Sequence, residues 1–226
     1  MSIYAKELVL PDNEYIKEVT KKNQIVLHHT AGSSNPTYVV DGWDVDPARI
    51  ATHNVVGGIS TNGNSEWDGK IIKAIDSRYF AYHLGVKGKE DPTRKPQGYY
   101  DRKSVAIEVC CYGELTFRLG KYYNYLNKVV PGSQVIDLGK EFRGHRYYQS
   151  YTTAQIEALR VLILYHCENE NIVLDKGRVF TWDDFNYDIK RFGEKAIAFH
   201  VNYREDGKND LYPHPKLIAM LNELHR

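Results

Sequence analysis

Ile25-Val26-Leu27-His28-His29-Thr30-Ala31-Gly32-Ser33-Ser34 is an apolar run that stops abruptly at two histidines and a small, polar loop. Consecutive branched aliphatics without alternation predict a strand buried on both faces, as in a sheet covered by helices. Open α/β sheets keep their sites beyond the C-terminal ends of strands, which is where His28 and His29 fall. Taken alone, a His-His pair reads equally well as one satisfied core histidine beside an exposed neighbour. What changes this reading lies far downstream. There Ala196-Ile197-Ala198-Phe199 again runs into a histidine, His200, and the polar loop after it carries Lys208 and Asp210. Two strand-end histidines and a loop carboxylate make a three-ligand site with one open position, the usual form of a catalytic zinc.

Length and composition bound the alternatives. A chain of 226 residues with 42% apolar content can bury one sizeable core, and an α/β single domain with a central mixed β-sheet, flanking helices and inserted loops is expected. A net charge of +1 lacks the basic excess of a general nucleic-acid or membrane-surface binder. Three cysteines, two of them adjacent at Cys110 and Cys111, make no disulfide framework and suggest synthesis in a reducing compartment. No run approaches the length of a membrane span, and the first residues lack a basic segment followed by an apolar one. Synthesis in the cytoplasm without a signal peptide, as a monomer, is therefore expected.

Residues 1–24 read as a polar lead-in broken at Pro11-Asp12-Asn13, with Tyr15 to Lys22 as a short helix. Gly32 to Pro36 is a loop by composition, and Asp46 to Ala51 a short helix with Pro47 in its first turn. His53 to Ile59 and Lys70 to Ile75 are strands joined through an Asp68-Gly69 turn. Residues 86–103 form a charged, Gly- and Pro-containing surface loop. Ser104-Val105-Ala106-Ile107-Glu108-Val109-Cys110-Cys111 then places one carboxylate inside an apolar strand, where desolvation is costly unless the group is paired or used. Desolvation also raises a carboxyl pKa towards that of a working general base. The tyrosine-rich segment from about 114 to 150 reads as an inserted loop, either a surface hairpin or a place for aromatic and basic side chains to meet a sugar. Thr152-Thr153-Ala154-Gln155 is a capping box opening a helix to about Glu168, with Ile156, Leu159, Leu162 and Ile163 on its apolar stripe. Val173 to Phe185 is a second irregular segment, and Lys216 to His225 a closing helix.

Together these motifs resemble the zinc-dependent N-acetylmuramoyl-L-alanine amidases of the type-2 family, which include phage lysozyme-amidases, bacterial anhydro-muropeptide amidases and animal peptidoglycan recognition proteins. The family pattern is a strand ending in His, an Ile-Glu pair on a middle strand, and a late His followed by Lys-x-Asp or Lys-x-Cys. Here these are His28-His29-Thr30, Ile107-Glu108, and His200 with Lys208-Asn209-Asp210. Tyr82-His83-Leu84-Gly85 matches a further aromatic-His-x-Gly element. The resemblance implies that a catalytic domain from residue 25 to the C-terminus holds Zn2+ through His28, His200 and Asp210. It also makes Glu108 the general base and Lys208 the oxyanion stabiliser, and puts His29, Thr30, His53 and His83 beside the substrate groove. The bond cut would join the lactyl group of N-acetylmuramic acid to L-alanine in peptidoglycan or a muropeptide.

Three points of the pattern remain open from sequence. Gly144-His145 imitates the second ligand, but it precedes the long helix whereas the family's ligand follows it. The family usually continues with Pro directly after its third ligand. Here Leu211-Tyr212-Pro213-His214-Pro215 intervenes, and His214 is a competing donor of suitable softness. Finally, a non-catalytic peptidoglycan-binding module, an unrelated zinc hydrolase and a cytosolic muropeptide-recycling enzyme stand beside an endolysin that lyses the cell wall.

Overall fold

The run at residue 25 becomes the centre of a sheet. In the computed structural model, which describes residues 2–86, 92–175, 179, 185–189 and 195–224, the chain forms β1 (Lys6–Glu7), β2 (Gln24–His29), α1 (Pro36–Asp44), β3 (Asn54–Val56), β4 (Ile71–Lys73) and β5 (Ser104–Val109). There follow β6 (Glu114–Arg118), β7 (Lys121–Tyr123), β8 (Val129–Val130), β9 (Val135–Phe142), β10 (His145–Gln149), α2 (Thr153–Glu170), β11 (Ile197–Phe199), the single turn α3 (His200–Tyr203) and α4 (Pro215–Glu223). The main sheet has the order β1-β4-β3-β5-β2-β11. β3, β5, β2 and β11 run parallel, while β4 is antiparallel to β3, so the sheet is mixed as expected.

Side-chain alternation divides the core between the two faces of this sheet. Val56, Ile71 and Ile107 join the cluster built with Ile156, Leu159, Leu162 and Ile163 of α2 and Leu217 and Leu221 of α4. Val55 and Ile72 join the cluster on the α1 side, with Val40 and the partly buried Val39 and Trp43. Glu108 stands opposite Val55 and His28, so the two chemical groups project from the α1 face. The capping box is as expected: Thr152 Oγ1 accepts from Gln155 N at 3.0 Å and Gln155 Oε1 accepts from Thr152 N at 3.1 Å. Gly69 turns the chain with φ +70°, and a Cβ there would stand 2.8 Å from the Ala154 carbonyl oxygen.

Several local expectations are corrected. Tyr15 to Lys22 is not a helix: Ile16 bridges Phe80 in antiparallel fashion, and buried Lys22 donates through Nζ to Thr20 Oγ1, Tyr79 O and Arg102 O. The lead-in also supplies the edge strand β1, parallel to β4. The helix expected at Asp46 lies earlier, at α1. Asn35 Oδ1 accepts from Thr37 N at 2.9 Å and Pro36 fills the first turn, whereas Asp46 only closes a turn onto Ala48 N and Arg49 has φ +55°. The 114–150 insertion is neither loop nor single hairpin but a five-stranded antiparallel sheet, β8-β7-β6-β10-β9. It is anchored through buried Leu115, Val130 and Tyr148. The irregular segment expected from Val173 to Phe185 lies largely outside the described residues, as do residues 87–91 of the expected surface loop.

Candidate active site

Register brings the motifs together. Three adjacent parallel strands end at the same level, with His28 opposite Glu108 and Leu27 opposite Phe199, so His200 follows at the height of His28. Asp210 returns to this row because its carbonyl accepts from Val201 N at 3.0 Å, folding the loop back onto α3. Asn209 Nδ2 donates to Glu114 Oε2 at 2.8 Å, tying the same loop to the start of the inserted sheet.

The resulting donor set is buried and convergent. His28 Nδ1 lies 3.1 Å from His200 Nδ1, and Asp210 Oδ2 lies 2.9 Å from His200 Nδ1 and 3.4 Å from His28 Nδ1. Among the described residues these three form the one group of His, Cys, Asp or Glu donors able to hold a metal ion, their ligand atoms all within 4.8 Å of one another. The donor chemistry fits Zn2+. His200 Nε2 donates to the Leu84 carbonyl at 3.0 Å, so its Nδ1 presents a lone pair to the Asp210 carboxylate. A divalent cation placed between His200 Nδ1 and the carboxylate would take both as ligands, the nitrogen-and-oxygen combination that a zinc site uses. Burial, reinforced by His200, brings His28 down to about 4, which leaves it neutral and free to donate at pH 7. Burial pushes Asp210 up, but the His200 and His28 rings more than offset this and hold it well below the usual carboxylate range.

Glu108, on the strand next to His28, borders the same cleft and is only partly exposed. Burial, and then the Asp210 carboxylate, raise it to about 8, with Lys208 opposing the shift. The cleft has a volume of about 340 Å3, and His28, Glu108, His200, Lys208 and Asp210 line it together with Val39 and Trp43 of α1. It is polar on the side of the donors and apolar on the side of the helix.

Other expected residues fall differently. His29 and Thr30 line the cleft; His29 Nδ1 meets Tyr151 Oη at 3.2 Å, and Thr30 Oγ1 accepts from Cys111 N at 3.2 Å. His53 does not reach it. Its ring is buried in the sheet, Nε2 donating to Tyr79 O at 3.0 Å and Nδ1 accepting from Ala106 N at 2.9 Å, so the expected substrate contact is a satisfied core histidine. His83 borders the cleft, but both ring nitrogens are engaged, with His28 Nε2 at 2.9 Å and Ser104 Oγ at 2.8 Å. His145 stands on β10, outside the donor group. His214 caps α4, Nδ1 accepting from Lys216 N at 3.1 Å, and its Nε2 meets Ser150 Oγ at 3.0 Å. Sequence reasoning missed Trp43 and Glu114, which reach the cleft through α1 and the inserted sheet, and no local motif marks them.

A family model described as N-acetylmuramoyl-L-alanine amidase matches residues 19–211. This chain belongs to that family. The amidase fold is also shared with solved structures. One is titled "Structure of PlyL": TM-score 0.52 and 13% identity, covering 100% of this chain and 98% of that one. Another is "E90A mutant structure of PlyL": TM-score 0.51 and 14% identity over 99% and 98%. The Staphylococcus aureus hydrolase AmiA in complex with its ligand aligns with TM-score 0.48 and 13% identity over 97% and 80%. No curated protein sequence matches. The amidase is thus an enzyme of the type-2 class, and its family's reaction is hydrolysis of an amide in peptidoglycan. Among the described residues no helix is long and apolar enough to cross a membrane.

Proposed function

We propose that this amidase is zinc-dependent and cuts the amide between N-acetylmuramic acid and L-alanine, acting on the intact cell wall as an endolysin does. The observation that carries the reading is the convergence of His28 Nδ1, His200 Nδ1 and Asp210 Oδ2 beside Glu108 on the floor of an open cleft. Zn2+, when bound by these three residues, supplies Lewis acidity that acidifies water and polarises the scissile carbonyl.

The chain's own residues supply the rest. Glu108 is not among the convergent donors, and its raised pKa suits a group that takes a proton from the attacking water and returns it to the leaving nitrogen near neutral pH. Lys208 borders the same cleft and offers a cation to the carbonyl oxygen as negative charge develops there. Val39 and Trp43 offer the substrate an apolar wall on the α1 side of the cleft.

The test uses zinc-loaded protein with whole sacculi and with soluble muropeptides, scoring release of free muramyl and alanyl ends. Clearing of sacculi with new L-alanine amino termini is the expected result. Cleavage of soluble fragments alone would replace the lytic role with muropeptide recycling, and cleavage of neither would overturn the reading.

A further inference from the structure

His28 and His200 are held from behind by one short segment of chain. His83 Nδ1 lies 2.9 Å from His28 Nε2, and the next residue, Leu84, accepts through its carbonyl from His200 Nε2 at 3.0 Å. The backbone N–H groups of His83 and Leu84 both donate to Asp101 Oδ1, at 2.8 and 3.0 Å. Three residues after Asp101, Ser104 Oγ donates to Tyr100 O at 2.9 Å and meets His83 Nε2 at 2.8 Å. His28, His83, Asp101 and Ser104 are all buried.

The proton positions follow from these contacts. Ser104 Oγ stands 2.9 Å from Tyr100 O and 3.4 Å from Asp101 O, and a carbonyl can only accept, so its single proton is directed to the backbone and its oxygen accepts from His83 Nε2–H, which also lies 3.9 Å from Asp101 Oδ1. His83 Nδ1 is then a bare acceptor and takes a hydrogen bond from His28 Nε2–H. That leaves the lone pair of His28 on Nδ1, aimed at Asp210 and His200. His200 reaches the same state by the shorter route through Leu84. Without these contacts a neutral imidazole is free to carry its proton on either nitrogen, and half of its tautomers would be useless to an ion at the cluster.

We propose that His83 is a positioning residue that sets the tautomer of His28, and that Asp101, by clamping the His83 and Leu84 amides, makes both imidazoles present Nδ1 to the same point. The inference rests on the metal-site reading above but concerns groups outside the convergent donor set. Loss of such a partner of a metal-binding histidine typically costs 10- to 100-fold in metal affinity.

The experiment compares the parent with His83→Leu, which removes the acceptor, and His83→Asn, whose side-chain oxygen can replace Nδ1. Two readouts are taken at pH 8: the His28 tautomer in metal-free protein, from two-bond nitrogen–proton NMR correlations, and affinity for Zn2+ alone, by competition with a chromogenic chelator. The parent should show His28 as the Nε2–H tautomer. His83→Leu should mix the tautomers and bind Zn2+ 10- to 100-fold more weakly, and His83→Asn should recover most of both. A parent-like tautomer together with affinity within twofold in His83→Leu overturns the proposal. Should that variant fail to fold, Ser104→Ala decides instead: it should release the His83 tautomer, and an unchanged His83 and His28 would refute the relay. Failure of the metal reading looks different, because then the parent binds no stoichiometric Zn2+ or His200→Ala binds it equally well. The tautomers of the metal-free parent would still report on positioning.

Discussion

Replacing Glu108 with Gln preserves the volume of the side chain and removes its capacity to hold a transferable proton. With burial and Asp210 raising Glu108 to about 8, the free carboxyl is largely protonated at pH 7. His28, at about 4, is already neutral there, and Asp210 is already ionised. A divalent cation delivered to His28, His200 and Asp210 offsets the Asp210 charge, one of the two causes that keep the Glu108 proton in place. Zn2+ binding at pH 7 should therefore release more protons from the parent than from Glu108→Gln, by up to about one per site. Calorimetric titration in two buffers of different ionisation enthalpy measures the difference directly. Amidase activity should fall by about 10²- to 10⁴-fold, the typical worth of a general base, or about 2.7–5.4 kcal/mol in the barrier. The variant should still bind Zn2+. Equal proton release from both proteins, or activity within tenfold of the parent, would remove Glu108 from the assigned role.

Asp210→Ala should abolish stoichiometric Zn2+ by elemental analysis, whereas His214→Ala should keep the ion while losing a helix cap and the buried contact with Ser150, a cost of at least about 1 kcal/mol by urea denaturation; the reverse pattern would move the third ligand to His214. Lys22 is lowered to about 7 by burial, below its ordinary 10.5, so the unfolded chain binds the extra proton between these values. Its contribution to stability should accordingly rise with pH across that window, with a slope approaching about 1.4 kcal/mol per pH unit, and Lys22→Met should flatten that slope. Thr152→Ala removes the acceptor for Gln155 N and the donor to Asp68, and should cost about 1 kcal/mol in denaturant midpoint analysis while leaving Zn2+ affinity unchanged.

Much of this protein could be read from local pattern. The unbroken apolar run of β2 marked a central strand because only burial on both faces tolerates such composition, and a strand-end histidine follows from where that run stops. The capping box at Thr152 is a sequence-local interaction and was legible for the same reason. Composition marked the Asn35-Pro36 stretch as loop and Asp46-Pro47 as the start of a helix, so local signals misplaced the helix. Packing chose the first, since it sets Val40 against the sheet and brings Val39 and Trp43 to the cleft.

Tertiary structure alone decided what could be known only from register and from partners far away in the chain. His53 and His83 are both strand-adjacent histidines with apolar neighbours. One is saturated by backbone groups inside the sheet, while the other stands behind a metal-binding candidate, because pairing between distant segments determines which nitrogen meets which partner. Asp210 and His214 lie four residues apart in one loop, and composition favours neither. The hydrogen bond from Val201 N to the Asp210 carbonyl turns one inward, and the start of α4 claims the other. The tyrosine-rich insertion carried alternation too weak to separate a hairpin from a sheet, and long-range pairing of β10 with β6 and β9 settled it. The identity of the reacting groups was therefore written locally in the chain, but their convergence on one point depended on non-local contacts that no window of sequence contains.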